Sequence, residues 1–291
     1  MSSYIRMTAI AMTALIGSAL IGSALVANQT TGADTTRDTD GAHIAKLSST
    51  IPDIRVSETH VLPQNPDQSE LDGFCSHYLT QDVSAYGEMV QKAGWLVTSE
   101  HQEGGLHFVS FSSALDPGTS GVCFGRNGNL AMFGDGKLLA IAYSARPDDL
   151  VIGSLDPLDQ KPGEFYIGDG TGPYAPIAKM TVRGGISAIT PLPAQESYCG
   201  GKAVIPNIYG KQIFDARKPL RSAGWRPNSS PDEGYGGTVT HLRKSVPEVD
   251  GCSGTGYGFC TYAYRKGKMT LGMTSVGEEY NIIGYSVDCG E

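Results

Sequence analysis

"AYGEMVQKAGW" (85–95) and "DARKPLRSAGW" (215–225) both end in Ala-Gly-Trp, and their tryptophans are the only two in the 291-residue chain. Each stretch reads as a helix halted by its glycine. Helices commonly stop at a left-handed residue, which glycine adopts without steric cost, and an apolar residue just beyond packs back on the last turn. Gly94 and Gly224 would be those stops, and Trp95 and Trp225 the residues that fold back. Pro219 departs from the pattern and would begin or kink the second helix.

Working outward, a cysteine precedes each helix: Cys75 stands 20 residues before its tryptophan and Cys199 stands 26 before its own. Strand-like segments follow. After the first helix come "LHFVSF" (106–111), then "NLAMF" and "KLLAIAYS" joined by Gly134-Asp135-Gly136, a hairpin signal between apolar runs. After the second come "TVTHLRK" (238–244), then "FCTYAYR" and "MTLGMTS" turning through Lys266 to Lys268, then "YNIIGYSVDC" (280–289). The pattern predicts an α+β protein of two related lobes, 69–150 and 198–291, each a helix plus a small antiparallel sheet, stabilised by disulfides. Residues 151–197 read as short strands, "EFYIGDG" and "IAKMTVRGGISAI", punctuated by Pro173, Pro176, Pro191 and Pro193. They either complete the first sheet or bridge the lobes.

The ends of the chain carry the expectation of a compartment. Arg6 is the only charge before an apolar run from Met7 to Ala27, with small residues at Ala24 and Ala27. That describes a secretory signal peptide over 1–27. The same run is just long enough to be a membrane anchor, but its small residues and weak hydrophobicity favour cleavage, and it holds no cysteine to take a lipid. No later stretch is long and apolar enough to span a bilayer, so no span is expected after cleavage. Residues 28–68, rich in Thr, Asp, Ser and Pro, read as a flexible tether that buries too little surface to offset its ordering entropy. The formal charge of −8, without basic clusters, argues against nucleic acid and anionic membrane surfaces and weakly favours a cationic partner.

All six cysteines, Cys75, Cys123, Cys199, Cys252, Cys260 and Cys289, follow that segment, and none falls in a C-x-x-C pair. An even count fits an exported protein in which disulfides persist, and the spacing disfavours thioredoxin-like redox sites and the usual zinc sites. "VDGCSGTGYGFCTY" (249–262) is the densest stretch. A phosphate cradle needs a helix after its glycines, whereas "TYAYRKGKMTL" alternates like a strand. A metal site needs more ligands than Asp250 and a distant His241 supply. A Cys252–Cys260 disulfide is the simplest reading, and closing so short a loop contributes about 2.5 kcal/mol. Cys199 with Cys289 and Cys75 with Cys123 would staple each lobe, although spacing alone leaves other pairings open. The clamped loop is either a stabilised long turn or a preorganised recognition loop presenting Ser253, Thr255 and Tyr257. Tyr262 and Tyr264, with Tyr235 upstream, add aromatics nearby. Alternation puts Tyr262 and Tyr264 on one face, which is either core or a binding surface.

"SGTGY" (253–257), followed by "YRKGK" (264–268), resembles the signature of membrane-bound and periplasmic inhibitors of C-type lysozyme. That resemblance implies a Ser-Gly loop and a Tyr…Lys-Gly hairpin entering a lysozyme cleft, with Ser253, Tyr257 and Lys266 as contacts. The helix-plus-sheet repeat departs from that family's barrel. The wider "AGW…CSGTGxGxC" arrangement is similar to envelope proteins of Gram-negative bacteria, and the paired repeats resemble secreted β-lactamase inhibitory proteins in architecture only.

No G-x-S-x-G or H-E-x-x-H motif occurs. His43 and His60 sit in the tether, His77 and His241 stand alone, and the glycines of "HQEGGLH" (101–107) break any helical pairing of its histidines. Asp148-Asp149 and Glu278-Glu279 read as solvated charges. No cofactor or metal is expected. The reading is an exported, periplasmic or secreted, non-catalytic binding protein that recognises an envelope or extracellular protein or a glycan. Binding would run through the Cys252–Cys260 loop with Ser253, Thr255, Tyr257, Tyr262, Tyr264 and Lys266. A structural envelope role and a hydrolase with an unrecognised site are the alternatives.

Overall fold

The computed structural model describes residues 45–67, 73–147, 150–173, 175–229, 237–253 and 256–290. The expected signal peptide, residues 28–44 and 68 of the expected tether, Asp148, Asp149, Tyr235 and Thr255 lie outside the described residues. Strand makes up 48% of the structure, and three disulfides join Cys75 to Cys123, Cys199 to Cys289 and Cys252 to Cys260. The chain is richer in sheet than the sequence led us to expect, in part because a segment read as tether holds two strands.

The tether reading fails from Lys46 to Glu58. β1 (Lys46–Ser49) and β2 (Ile54–Glu58) lie there, and the sparse apolar residues Leu47 and Ile54 are buried in the core. α1 (Ala85–Lys92) starts at Ser84, whose side chain accepts from the backbone N–H groups of Tyr86 and Gly87, as a helix N-cap should. At its other end Gly94 has φ 85°. Gly94 N–H donates to Gln91 O at 2.8 Å and Trp95 N–H to Val90 O at 3.4 Å. These two bonds close the helix end in the Schellman pattern. The Trp95 indole N–H donates to Pro63 O at 2.7 Å, so residues after β2 fold over the cap.

The chain continues through β3 (Leu96–Glu103), β4 (Leu106–Ser112), β5 (Ala114–Pro117), β6 (Cys123–Arg126), β7 (Asn129–Gly134) and β8 (Lys137–Ser144). β5 and β6 form a separate ribbon, and the others make a five-stranded sheet in the order β2-β8-β7-β4-β3. Its two-residue turns, Gly104-Gly105 and Asp135-Gly136, have positive φ at both positions, the geometry that a twisted hairpin favours.

β9 (Ile152–Pro157), β10 (Glu164–Asp169), β11 (Pro176–Arg183) and β12 (Ile186–Thr190) follow, and β1 joins β12 in parallel to complete a second five-stranded sheet. Residues 151–190 therefore do not extend the first sheet; with β1 they form a second sheet that covers it. Leu155, Phe165, Ile167 and Met180 pack against Phe108, Leu130 and Met132 of the first sheet. Its opposite face holds α1 through Val90, Trp95, Val109, Phe111 and Phe133. A sheet covered on both faces explains why adjacent residues such as Phe108 and Val109 in β4, or Ala131, Met132 and Phe133 in β7, are buried together.

The remainder is β13 (Gln195–Tyr198), β14 (Ala203–Pro206), α2 (Ile213–Ser222), β15 (Arg226–Pro227), α3 (Gly237–Arg243), β16 (Val249–Cys252), β17 (Cys260–Lys266), β18 (Met269–Val276) and β19 (Asn281–Asp288). Pro219 lies inside α2. Gly224, φ 90°, repeats the stop of α1: Gly224 N–H donates to Arg221 O and Trp225 N–H to Leu220 O, each at 3.0 Å. "TVTHLRK" is a helix and not a strand. Val239, Leu242 and Val246 are buried at the 3–4 spacing of a helix face, which outweighs the β-branched composition. The sheet runs β15-β17-β18-β19, with β16 beside the start of β17. Its inner face, with Tyr262, Tyr264, Leu271 and Met273, meets α2, α3 and β14. Its outer face carries Thr261, Arg265 and Thr270, all exposed.

Candidate functional site

The pairing of β16 with β17 sets Cys252 directly opposite Cys260, with Cα atoms 4.0 Å apart. Ser253 N–H donates to Phe259 O at 2.7 Å, which extends the ladder past the disulfide. The rest of the loop is held from outside. Tyr257 N–H donates to Ser120 Oγ at 3.0 Å, and Gly277 N–H, in the β18–β19 turn, donates to Tyr257 O at 2.9 Å. The Tyr257 ring lies 6.1 Å from Phe124 and 6.3 Å from Phe259. Gly256 has φ 72°, and a Cβ there would sit 1.5 Å from Ser120 Oγ, so only glycine permits this approach. Ser120 itself is a non-glycine residue at φ 58°, a conformation that persists only when its surroundings fix it. Ser253 is exposed and Tyr257 half-buried.

Other residues read from the sequence as binding groups lie elsewhere. Tyr262 and Tyr264 are 1% and 0% exposed. Alternation placed them on one face correctly, but that face is core. The Tyr262 hydroxyl shares a hydrogen bond with Ser275 Oγ at 2.9 Å, and burial pushes its pKa up to about 12. Tyr264 donates to Glu248 Oε1, and the fully buried Glu248 carboxylate pairs with Arg217, whose Nε lies 2.6 Å away. Lys266 sits six residues along β17 from Cys260, about 20 Å at the usual strand rise. Its stem covers Gly224, where a Cβ would lie 3.2 Å from Lys266 Cε. The ammonium thus lies near the negative end of α2. Lys266 and the loop do not share one contact patch.

Beside the Ser120 turn lies an open groove of about 480 Å³ lined by His77, Tyr78, Thr98, Gly121, Ser154 and Asp156. Ser154 and Asp156 project outward from β9 on either side of buried Leu155, and Ser154 Oγ donates to Asp156 Oδ2 at 2.6 Å. His77 Nε2–H donates to Gly121 O at 2.9 Å. Asp156 stands opposite Tyr166 in the β9–β10 register. Tyr166 lines a second, narrower crevice of about 150 Å³ with Tyr198, Tyr209 and Tyr285. There the Tyr166 and Tyr285 hydroxyls approach to 3.4 Å, and Tyr209 stacks on Tyr285 at 5.0 Å. Burial is the first cause that raises the Tyr198, Tyr209 and Tyr285 phenols above their ordinary range.

Charges close one side of this crevice. The Lys161 ammonium lies 4.4 Å from the Tyr198 ring centroid and pairs with Glu196. Lys179 lies 2.7 Å from both Glu196 and Glu164. Desolvation, then repulsion from Lys179, lowers the Lys161 pKa. Sequence reasoning missed this cluster because its tyrosines come from β10, β13, the turn after β14, and β19. No local spacing links them, and the only hint is that tyrosines outnumber phenylalanines, 14 to 8.

His101 and His107 point to opposite faces of the β3–β4 pair, since His101 stands opposite Phe108 and His107 opposite Gln102. Among the described residues no group of three or more His, Cys, Asp or Glu could hold a metal ion, and no helix is long and apolar enough to cross a membrane. Compared with protein-family models, curated proteins and solved structures, the chain has no significant match to any of them.

Proposed function

We propose that this chain is an exported, non-catalytic binding protein of the bacterial envelope, periplasmic or secreted, built from two related lobes. In this reading it recognises an envelope macromolecule at the rim formed by the Cys252–Cys260 loop and the adjoining groove. The relation of the lobes is supported by two matching helix stops, each followed by a strand, β3 or β15, that pairs with the first strand of a three-stranded antiparallel run, β4-β7-β8 or β17-β18-β19. Export is supported by the three disulfides and the signal-like start.

The observation that carries the binding reading is the double anchoring of Tyr257, to Ser120 on one side and Gly277 on the other. A loop clamped by a disulfide and pinned across two parts of the fold loses little further entropy when a ligand binds. It also holds Ser120, the neighbour of Gly121 in the lining of a groove whose size falls within the range of ligand sites. A serine hydrolase of the Ser-His type pairs its nucleophilic hydroxyl with an imidazole. Here Ser154 gives its proton to Asp156 and His77 gives its own to Gly121 O, which favours a binder over a hydrolase.

Affinity capture from envelope extract tests this. The oxidised full chain is expected to retain a stoichiometric partner, and Ser253→Ala with Tyr257→Ala to lose at least about tenfold in retention, the loss of one good hydrogen bond or aromatic anchor. Lys266→Ala should retain the partner fully. Equal capture by the native and loop-altered chains would remove the loop as the site.

A further inference from the structure

The groove and the tyrosine crevice meet along one cross-strand pair, and we propose that together they take a linear segment of an uncharged oligosaccharide. The proposal rests on the binding reading above and names the ligand class for that site. Asp156 borders the groove, Tyr166 borders the crevice, and the two stand opposite each other on β9 and β10. A chain-like ligand lying across that pair touches both depressions, whereas a compact one fills only the groove.

The lining selects the chemistry. Tyr78, Thr98, Ser154 and Ser286 line the two depressions with hydroxyls; Thr98 and Ser154 give their protons to Ser110 Oγ and Asp156 Oδ2 and so offer acceptors, as Asp156 and Asp159 do. Sugar hydroxyls can donate to such acceptors set in close succession. The rings of Tyr78 and Tyr166 add flat apolar surface with a polar tip, which suits the C–H faces of a pyranose. Neither depression is lined by a lysine or arginine among the described residues. Lys161, the nearest ammonium, is committed to Glu196 and the Tyr198 ring. A sulfated, phosphorylated or uronic ligand would find no lysine or arginine in either lining and would meet Asp156, Asp159 and a net charge of −8. An acyl chain would find only Pro157, Leu158 and Val287 as aliphatic contacts. A cationic peptide is the competing ligand. It is disfavoured because the larger groove offers it a single carboxylate, Asp156, among hydroxyl and backbone groups.

Titration calorimetry on the oxidised full chain is the test. The probes are tetramers of β-linked glucose, mannose and N-acetylglucosamine, with a heparin tetrasaccharide and tetralysine as contrasts. At least one neutral tetramer should bind. The double change Ser154→Ala and Asp156→Asn should weaken it at least about tenfold, the loss of one hydrogen bond to a charged group. Both side chains reach solvent, so the unfolding temperature should hold, which separates a lost contact from a lost fold. Binding of no neutral tetramer overturns the proposal, as does equal or tighter binding of heparin or tetralysine. If the sugars fail while extract capture still depends on Ser253 and Tyr257, the ligand class is wrong and the binding function stands. If capture also survives the loop change, both fall.

Discussion

The two Ala-Gly-Trp helices end in the same way and are completed differently. Each stops on a left-handed glycine, makes the same pair of backbone bonds, and buries its tryptophan, whose indole N–H finds a backbone carbonyl: Pro63 O in one case, Val204 O in the other. Beyond that point they part. The sheet after α1 is covered by α1 on one face and by a second sheet on the other, and none of its fully buried side chains is a tyrosine. The sheet after α2 is packed against helices on one face, and Thr261, Arg265 and Thr270 on its other face are exposed among the described residues. Its core includes Tyr198, Tyr262 and Tyr264, with the Glu248 carboxylate buried beside them. A helix stop and a meander are therefore a transferable unit. What fills the space beneath the unit is not fixed by it: an apolar sandwich serves in one place and hydrogen-bonded phenols in the other.

The tryptophans test the shared part most harshly. Trp95→Ala and Trp225→Ala are each expected to cost about 3–5 kcal/mol, the range for emptying a buried aromatic site, measured by urea unfolding. Trp225, at 0% exposure against 6% for Trp95, should be the costlier. A loss below about 1 kcal/mol at either position would show that its cap is ornament to a sheet that stands without it. The glycines come next. Gly94→Ala and Gly224→Ala should each lose about 1–2 kcal/mol, because both residues are left-handed. Gly224→Ala should cost more, since its Cβ presses on Lys266 Cε, whereas at Gly94 the nearest atom, Asn65 Cβ, is at ordinary contact distance. Lys266→Ala made with Gly224→Ala should remove the difference and leave the common penalty. If the two glycines cost the same with Lys266 present, the covering stem is not packed there.

What could be read in the chain was local. Gly94 and Gly224, the Gly134-Asp135-Gly136 turn and the alternation of Tyr262 with Tyr264 are set by neighbours within a few residues, so their geometry is written beside them. What was missed depends on distant partners. β1 is a four-residue edge strand whose only ladder is to β12, about 140 residues on, and nothing near Leu47 says that such a partner exists. The same holds for the candidate site. The clamp from Cys252 to Cys260 follows from its spacing, but that Tyr257 would anchor on Ser120, or that Tyr166 would meet Tyr285, follows only from how the sheets stack. The burial of Tyr262 and Tyr264 lies between these cases: periodicity gave their shared face, and only the packing of α2 and α3 gave which side of it was wet.

Alkaline pH offers the finest probe of the contrast between the two cores. A buried phenol is favoured neutral, and Tyr262 has its pKa raised from 10.0 to about 12, chiefly by desolvation. Tyr198 and Tyr264 are raised in the same direction for the same first cause. The sign follows from linkage: a folded-state pKa above the unfolded one gives a contribution fully present below pH 10 that is lost as pH rises through the folded value. Urea midpoints should therefore hold from neutrality to about pH 10 and then decline toward pH 12. Trp95→Phe and Trp225→Phe leave one tryptophan each, so emission from Trp225 should report the decline before emission from Trp95 does. Tyr262→Phe should shrink the alkaline loss while costing about 0.5–1.5 kcal/mol at neutral pH, because Ser275 Oγ loses its partner. A simultaneous decline at both tryptophans would mean that the two cores unfold as one cooperative unit despite their different chemistry. A midpoint flat to pH 12 would mean that these phenols ionise without leaving the fold, and the contrast between a dry core and a phenolic one would lose its energetic content.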